Sequence, residues 1–247
     1  MSARHGTLRR APDAVAYVLA HVVAVAALAF STVCAAAPDP SDVDPLEPLN
    51  RAMFEINEVA DALVLKPAAE VYVAVFPQPI RTAFANVLNN IDDFFSGVNG
   101  LLQGKTEKAG NDFGRVLINT FVMGGIFDVA SDLGIERGGE DFGQTFGAWG
   151  FPTGPYLFLP VIGPTSVRDG LGLIPRIYLG PANWADVPLR NSLWGFTTVE
   201  IRASASDVIS ITETAALDKY NFIRSAYLQR REYQVYDGKP PKKEDDE

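Results

Sequence analysis

The side chains that carry most enzymatic chemistry are confined to the start of this sequence. Both histidines, His5 and His21, and the single cysteine, Cys34, fall within its first 34 residues. Without histidine the rest of the chain cannot build a Ser-His-Asp or Cys-His triad, a histidine metal site or the commonest general base at neutral pH. Two acidic pairs remain as candidates for acid–base work. Asp92-Asp93 follows Asn89-Asn90 and is read as the cap or opening of a helix, while Glu140-Asp141 follows Gly138-Gly139 in a turn. Gly104-Lys105-Thr106 imitates the end of a phosphate-binding loop. Such a loop needs a glycine five positions before Gly104, where Asn99 stands, and a preceding strand, where Phe94 to Leu102 reads as helix. It is therefore expected to be an interhelical turn. Gly170-Leu171-Gly172 is too short for a dinucleotide fingerprint. An enzyme is not expected, and that includes a lipid hydrolase working without histidine.

The elements that surround these residues point elsewhere. Arg4, Arg9 and Arg10 precede an apolar run from Ala14 to Phe30, so residues 1–33 read as an export signal. Cys34 stands where that run ends, which suggests lipid attachment after cleavage; ordinary cleavage near Cys34-Ala35-Ala36 is the alternative. Cleavage after residue 33 would remove three of 21 basic and one of 30 acidic residues, leaving 18 against 29 and a net charge of −11. That charge opposes nucleic-acid binding and rules out simple attraction to anionic lipid heads. Any lipid contact must come from apolar surface.

Phe142 to Val167 contains no charged residue, which is long enough to suggest a membrane helix. Pro152, Pro155, Pro160 and Pro164 forbid one, since each removes a backbone donor and costs about 3 kcal/mol inside a helix. Gly147, Gly150, Gly154 and Gly163 loosen the backbone further. The segment is apolar enough for lipid yet must turn. Irregular backbone survives at membrane depth only where protein or a water-filled cavity satisfies its polar groups. A Gly/Pro hairpin from Gly150 to Asp169, buried in protein or facing such a cavity, meets that condition.

Elsewhere the periodicity is helical. After a polar tether at 34–43, Asp44-Pro45-Leu46-Glu47 reads as a helix start, followed by an amphipathic stripe through Leu46, Leu49, Met53, Ile56, Ala60 and Leu63. Pro67 kinks or ends that helix, and another stretch runs to Val75. Helices are expected over Ile80–Leu88, Asp92–Leu102, Thr106–Met123, Ile126–Leu133, Trp194–Ala216 and Leu217–Tyr236. Ile201, Val208 and Ile211 are expected to point inward. Residues 237–247 form a charged tail, expected to be disordered. The predicted fold class is all-α.

These residues, in this order, resemble the MlaA (VacJ) family of outer-membrane phospholipid-transport lipoproteins. The likeness is carried by Asp44-Pro45-Leu46-Glu47…Asn50-Arg51…Met53 and by Asn119-Thr120…Gly124-Gly125…Asp128-Val129-Ala130. It continues through Phe142-Gly143-Gln144-Thr145…Gly147…Gly150, Gly154-Pro155-Tyr156…Leu159-Pro160, Gly163-Pro164…Arg168-Asp169 and Arg224…Ala226-Tyr227…Gln229-Arg230. It spans roughly residues 42–236, and the helical domain is drawn at 44–236. The chain departs from the family pattern in Ser31-Thr32-Val33 before Cys34 and in Glu58.

The resemblance implies a ring of amphipathic helices in the inner leaflet of the outer membrane, around a central channel. Gly150, Pro152, Gly154, Pro155, Tyr156, Leu157, Phe158, Leu159 and Arg168 would then belong to a hairpin lining that channel, with Leu157, Phe158, Leu159, Val161 and Ile162 facing acyl chains and Arg168 either meeting a phosphate near the mouth or pairing with an acid such as Asp169. It further implies removal of misplaced phospholipid from the outer leaflet, with a trimeric porin and a soluble periplasmic carrier as partners and no cofactor. A soluble periplasmic lipid carrier is the rival reading.

Overall fold

Helix signals account for most of the architecture. The computed structural model describes residues 44–241. The export signal, Cys34, the tether and residues 242–247 lie outside the described residues. Among those described, ten α-helices carry the chain: α1 (Glu47–Ala60), α2 (Lys66–Val75), α3 (Gln78–Leu102), α4 (Thr106–Met123), α5 (Val129–Asp132), α6 (Phe142–Ala148), α7 (Val167–Leu179), α8 (Val187–Ser204), α9 (Ser206–Ala215) and α10 (Lys219–Val235). Their only strands are β1 (Tyr156–Leu159) and β2 (Gly163–Ser166), which pair antiparallel. The expected all-α class therefore holds, with one hairpin set into it.

Several boundaries differ from expectation for identifiable reasons. The first helix begins at Glu47, three residues after Asp44. The Asp44 carboxylate instead accepts from the Leu46 amide and the Asn50 side chain, forming a turn ahead of the helix. Pro67 does not end the helix. A π-helical turn, Asp61–Leu65, lets the Lys66 amide reach back five residues to the Asp61 carbonyl, and Pro67 falls in the first turn of α2, where a missing N–H costs nothing. The break expected at Asn89–Asp93 is absent, because α3 runs on to Leu102. Asp92-Asp93 thus neither caps nor opens a helix, and Asp93 points into the interior.

Helix α4 has the expected limits and ends at left-handed Gly124. The next helix is shorter than expected, since Asp128 caps it by accepting from the Ser131 amide. Two helices flank the proline-rich window unannounced. Asp141 caps α6 and Ser166 caps α7, each through its own side chain. The long helix expected from Trp194 to Ala216 starts earlier and divides at Ala205 into α8 and α9. Ile201, Val208 and Ile211 do not point inward; they are 59%, 67% and 67% exposed. Order also continues past Tyr236. Asp237 accepts from Lys105 and Lys108, and the Gly238 amide donates to the Tyr233 carbonyl.

The interior is unusually polar. Its largest fully buried side chains include Arg115, Gln144, Asn50, Asn99, Thr145 and Asp112, alongside Tyr156 and Tyr220. Helix α4 carries much of this polarity against α3. Arg115 donates to Asp93 at 3.0 Å, to both oxygens of Asp128 at 2.8 and 2.9 Å, and to Ser131 at 3.1 Å. Asn119 accepts from the Ala130 amide at 2.9 Å, which folds the loop after Gly124-Gly125 back onto α4. Burial alone would push the Asp128 carboxyl up, but hydrogen bonds from Ser131, Asn119 and Arg115 hold it down at about 2. In Asp93 burial prevails, and its carboxyl is raised despite Arg115.

Candidate functional site

The uncharged window folds as the alternation of its residues dictates. Tyr156 pairs with Ser166 and Leu159 with Gly163, so the turn is Pro160-Val161-Ile162. Pairing continues beyond the strands. The Val167 amide donates to Pro155 O and the Arg168 amide to Thr153 O, each at 3.1 Å. Because strand side chains alternate, Tyr156 and Phe158 enter the core against Tyr220 and Phe54, whose ring meets Phe158 edge-on at 5.3 Å. Leu157 and Leu159 are half-buried, and Val161 and Ile162 at the tip are exposed. Phe158 is therefore a core residue; of the five side chains expected to face acyl chains, the other four remain available.

Helix α1 completes the hairpin as a third strand would. The Asn50 amide donates to Tyr156 O and accepts from the Phe158 amide, both at 2.9 Å, reproducing a ladder pair at the open edge of β1. Two helical turns on, Asn57 accepts from the Val161 amide at 2.8 Å. Val161 has φ +69, a left-handed conformation costly for a β-branched residue, and this contact helps hold it there. Two of the window's glycines are left-handed too: Gly150 has φ +88 and Gly154 has φ +69.

The hairpin's base is bolted by buried charge. Arg168 is buried, with Nε donating to Asp169 at 3.1 Å and Nη1 to Thr153 at 3.2 Å. Of the two alternatives for Arg168, the structure places it with the acid. Arg231 on α10 donates to both Asp169 oxygens at 3.0 and 2.9 Å and also grips Asp141, while the Tyr227 hydroxyl donates to Asp169. Helices α6 and α7 approach closely enough that a Cβ on Gly172 would lie 2.5 Å from the Gly143 amide nitrogen. Burial would raise the Asp169 carboxyl, but Arg231, with Arg168 and Tyr227, overrides it and holds it at about 2.

That depression has a signed consequence. A carboxylate whose folded value lies below the unfolded value of about 3.9 stabilises the fold above about pH 4 and loses the contribution as pH falls toward 2. The contribution is about 2 kcal/mol. Unfolding of detergent-solubilised protein should therefore become easier between pH 4 and 2. Asp169→Asn should be less stable at neutral pH and should lose that part of the slope. Parallel slopes in the two proteins would contradict the assignment.

The other candidates from the sequence have structural duties. Gly104-Lys105-Thr106 is the turn between α3 and α4, with Gly104 at φ +74. Lys105 and Lys108 hold buried Glu140 at 3.1 and 2.7 Å, so Glu140 is a counter-ion, and Asp141 caps α6. Sequence reasoning missed Asn57 and Arg231 and gave Asn50 and Tyr227 no role, although both stand in the family-like motifs. The seven-residue spacing of Asn50 and Asn57 on one helical face was a further signal.

Comparison with known proteins bears on this arrangement. Residues 42–234 match the MlaA lipoprotein family. The chain belongs to that family. It is 35% identical over 203 residues to the intermembrane phospholipid transport system lipoprotein MlaA of Haemophilus influenzae, spanning 79% of this chain and 80% of that one. The Escherichia coli K12 protein of the same description is 32% identical over 195 residues, 77% of each chain. A solved structure described as the structural basis for maintenance of bacterial outer membrane lipid asymmetry superposes with a TM-score of 0.68 at 30% identity. It covers 78% of this chain and 99% of its own. The hairpin, its asparagine ladder and the Arg231–Asp169 bolt all lie inside the MlaA-matched segment.

Proposed function

We propose that this MlaA-family protein is an outer-membrane lipoprotein that removes misplaced phospholipid from the outer leaflet and passes it to a soluble periplasmic carrier. It thereby maintains lipid asymmetry. The observation that carries this reading is the inverted distribution of polarity. Arg115, Asp112, Asn99 and Asn50 are buried, while Phe121 is 83% exposed and Leu63, Val208, Ile211 and Trp184 are exposed with it. Apolar surface on that scale needs an apolar solvent. No helix among the described residues is long and apolar enough to cross a membrane, and in the proposed arrangement the helices lie along the bilayer.

On this reading the helices form a ring in the inner leaflet, Cys34 carries the lipid anchor, and the Gly150–Asp169 hairpin borders the channel. Gly150, Pro152, Gly154 and Pro155 shape its backbone, and Leu157 and Leu159 with the exposed tip meet acyl chains. Tyr156, Phe158 and Arg168 hold it from behind. A trimeric porin is the proposed membrane partner.

The test is fractionation followed by affinity purification from outer membrane in mild detergent. Phospholipid and a porin should copurify, and Cys34→Ala should lose metabolic palmitate label while keeping much of its membrane association through apolar area. Recovery as free periplasmic protein with a bound lipid would instead support the soluble carrier.

A further inference from the structure

We propose that a groove between α3, α4 and the end of α7 is a binding site for a zwitterionic phospholipid bearing an ammonium head group. This deepens the phospholipid reading above and rests on it. The groove encloses about 390 Å³ and is walled by Ile91, Phe94, Val116, Leu179, Pro181 and Trp184. That volume falls in the usual range of about 300–1,000 Å³ for ligand sites. Its walls suit an acyl chain, and Trp184 stands at its mouth, 77% exposed.

A pair of opposite charges sits at the edge. The Arg176 guanidinium lies over the Phe95 ring, 4.3 Å from its centroid, and Phe95 itself borders the groove. Arg176 also pairs with Asp92, whose neighbour Ile91 forms part of the wall. Their side chains are 35% and 62% exposed, so the pair is worth little to the fold and can reopen toward a ligand. Its geometry complements a zwitterion, with guanidinium for phosphate and carboxylate for ammonium. Stacking on Phe95 keeps the guanidinium beside the groove rather than loose in solvent. Asn90 also lines the groove, and its buried side-chain oxygen has no hydrogen-bond partner among the described residues.

An anionic lipid without the ammonium would meet Arg176 but be repelled by Asp92. The site therefore predicts head-group preference, which a merely greasy surface would not show. Trp184 reports on it directly. The experiment uses the full chain in detergent, with Trp149→Phe and Trp194→Phe leaving Trp184 as the sole tryptophan. The probes are phosphatidylethanolamine and phosphatidylglycerol with brominated acyl chains, which quench on contact. The ethanolamine lipid should quench at about tenfold lower mole fraction than the glycerol lipid. Asp92→Asn should erase that preference, and Arg176→Ala should weaken both lipids about tenfold, the loss of one charge-assisted contact. Circular dichroism on each variant checks that the helices are intact.

Equal quenching by both lipids, unchanged in Asp92→Asn, would overturn the site, because Trp184 would then simply be bathed in micelle lipid. Mass spectrometry of the same samples separates the two claims. Phospholipid copurifying while Trp184 stays unquenched removes this groove and leaves the conduit standing. No copurifying phospholipid in the unsubstituted protein removes both.

Discussion

Replacing Arg115 by Met should prevent the protein from accumulating in folded form. Arg115 is fully buried and is hydrogen-bonded to Asp93, Asp128, Ser131 and the Ile135 carbonyl. Removing it leaves Asp93 buried with Arg137 as its one remaining cation, 3.5 Å away and partly exposed. Deleting one member of a buried ionic network typically costs about 3–5 kcal/mol, against a net stability of about 5–15 kcal/mol for a whole domain. The loop from Gly124 to Ile135 should detach first, because Arg115 and Asn119 fasten it to α4. Arg115→Lys should also fail, though less completely, since an ammonium keeps the charge but cannot reach all four partners as the guanidinium does. Limited proteolysis and outer-membrane abundance provide the measurements. Cleavage beginning in the loop is expected, and wild-type abundance of Arg115→Met would show that the network is dispensable.

How far this cluster could be read from the sequence depends on distance along the chain. Signals that act within four or five residues were legible. Gly124-Gly125 ends α4 where expected, and the prolines and glycines between Gly147 and Pro164 turn the chain back on itself. Asp93 was misread because its partner lies 22 residues away. A local rule made it part of a helix opening, whereas α3 passes straight through and presents it to Arg115. Arg168 beside Asp169 was open to two readings, and the buried cluster that decides between them needs Arg231, which arrives from α10 and shares the Asp169 Oδ1 with Arg168.

The misplaced faces have a different origin. Periodicity identifies which residues of a helix share an apolar side, but not whether that side meets protein or lipid. Ile201, Val208 and Ile211 were assigned inward by the convention of water-soluble proteins, and here the helices turn them out. The polar residues on the other faces, Asn50 and Glu200 among them, are the ones enclosed. With the apolar side chains turned out, buried polarity is the specific part of the interior. Asn50 shows this most clearly: nothing in an amphipathic stripe says that one asparagine will act as the missing strand of a hairpin.

Gly154→Val should abolish maintenance of outer-membrane lipid asymmetry. Gly154 has φ +69, and a Cβ there would lie 3.1 Å from the Val167 Cβ, so the substitution meets both a forbidden backbone conformation and a neighbour fixed at the start of α7. Conformational strain alone costs about 1–3 kcal/mol. The clash must be relieved by shifting β1 away from β2, which crowds β1 against Asn50 at its other edge and disturbs the Tyr156 O and Phe158 amide contacts there. Gly150→Val tests the backbone term separately, because Gly150 has φ +88 but open space where a Cβ would stand. It should therefore be the milder variant. Both changes leave the Arg115 network untouched, so abundance should stay near wild type while phospholipid builds up in the outer leaflet. The decisive measurement is outer-leaflet phospholipid in cells carrying each variant at matched expression. If Gly154→Val preserves asymmetry, the hairpin does not shape the lipid path, and the path must instead run along the helix faces. A graded loss, greater for Gly154→Val than for Gly150→Val, ties transport to the position of β1 rather than to the stability of the fold.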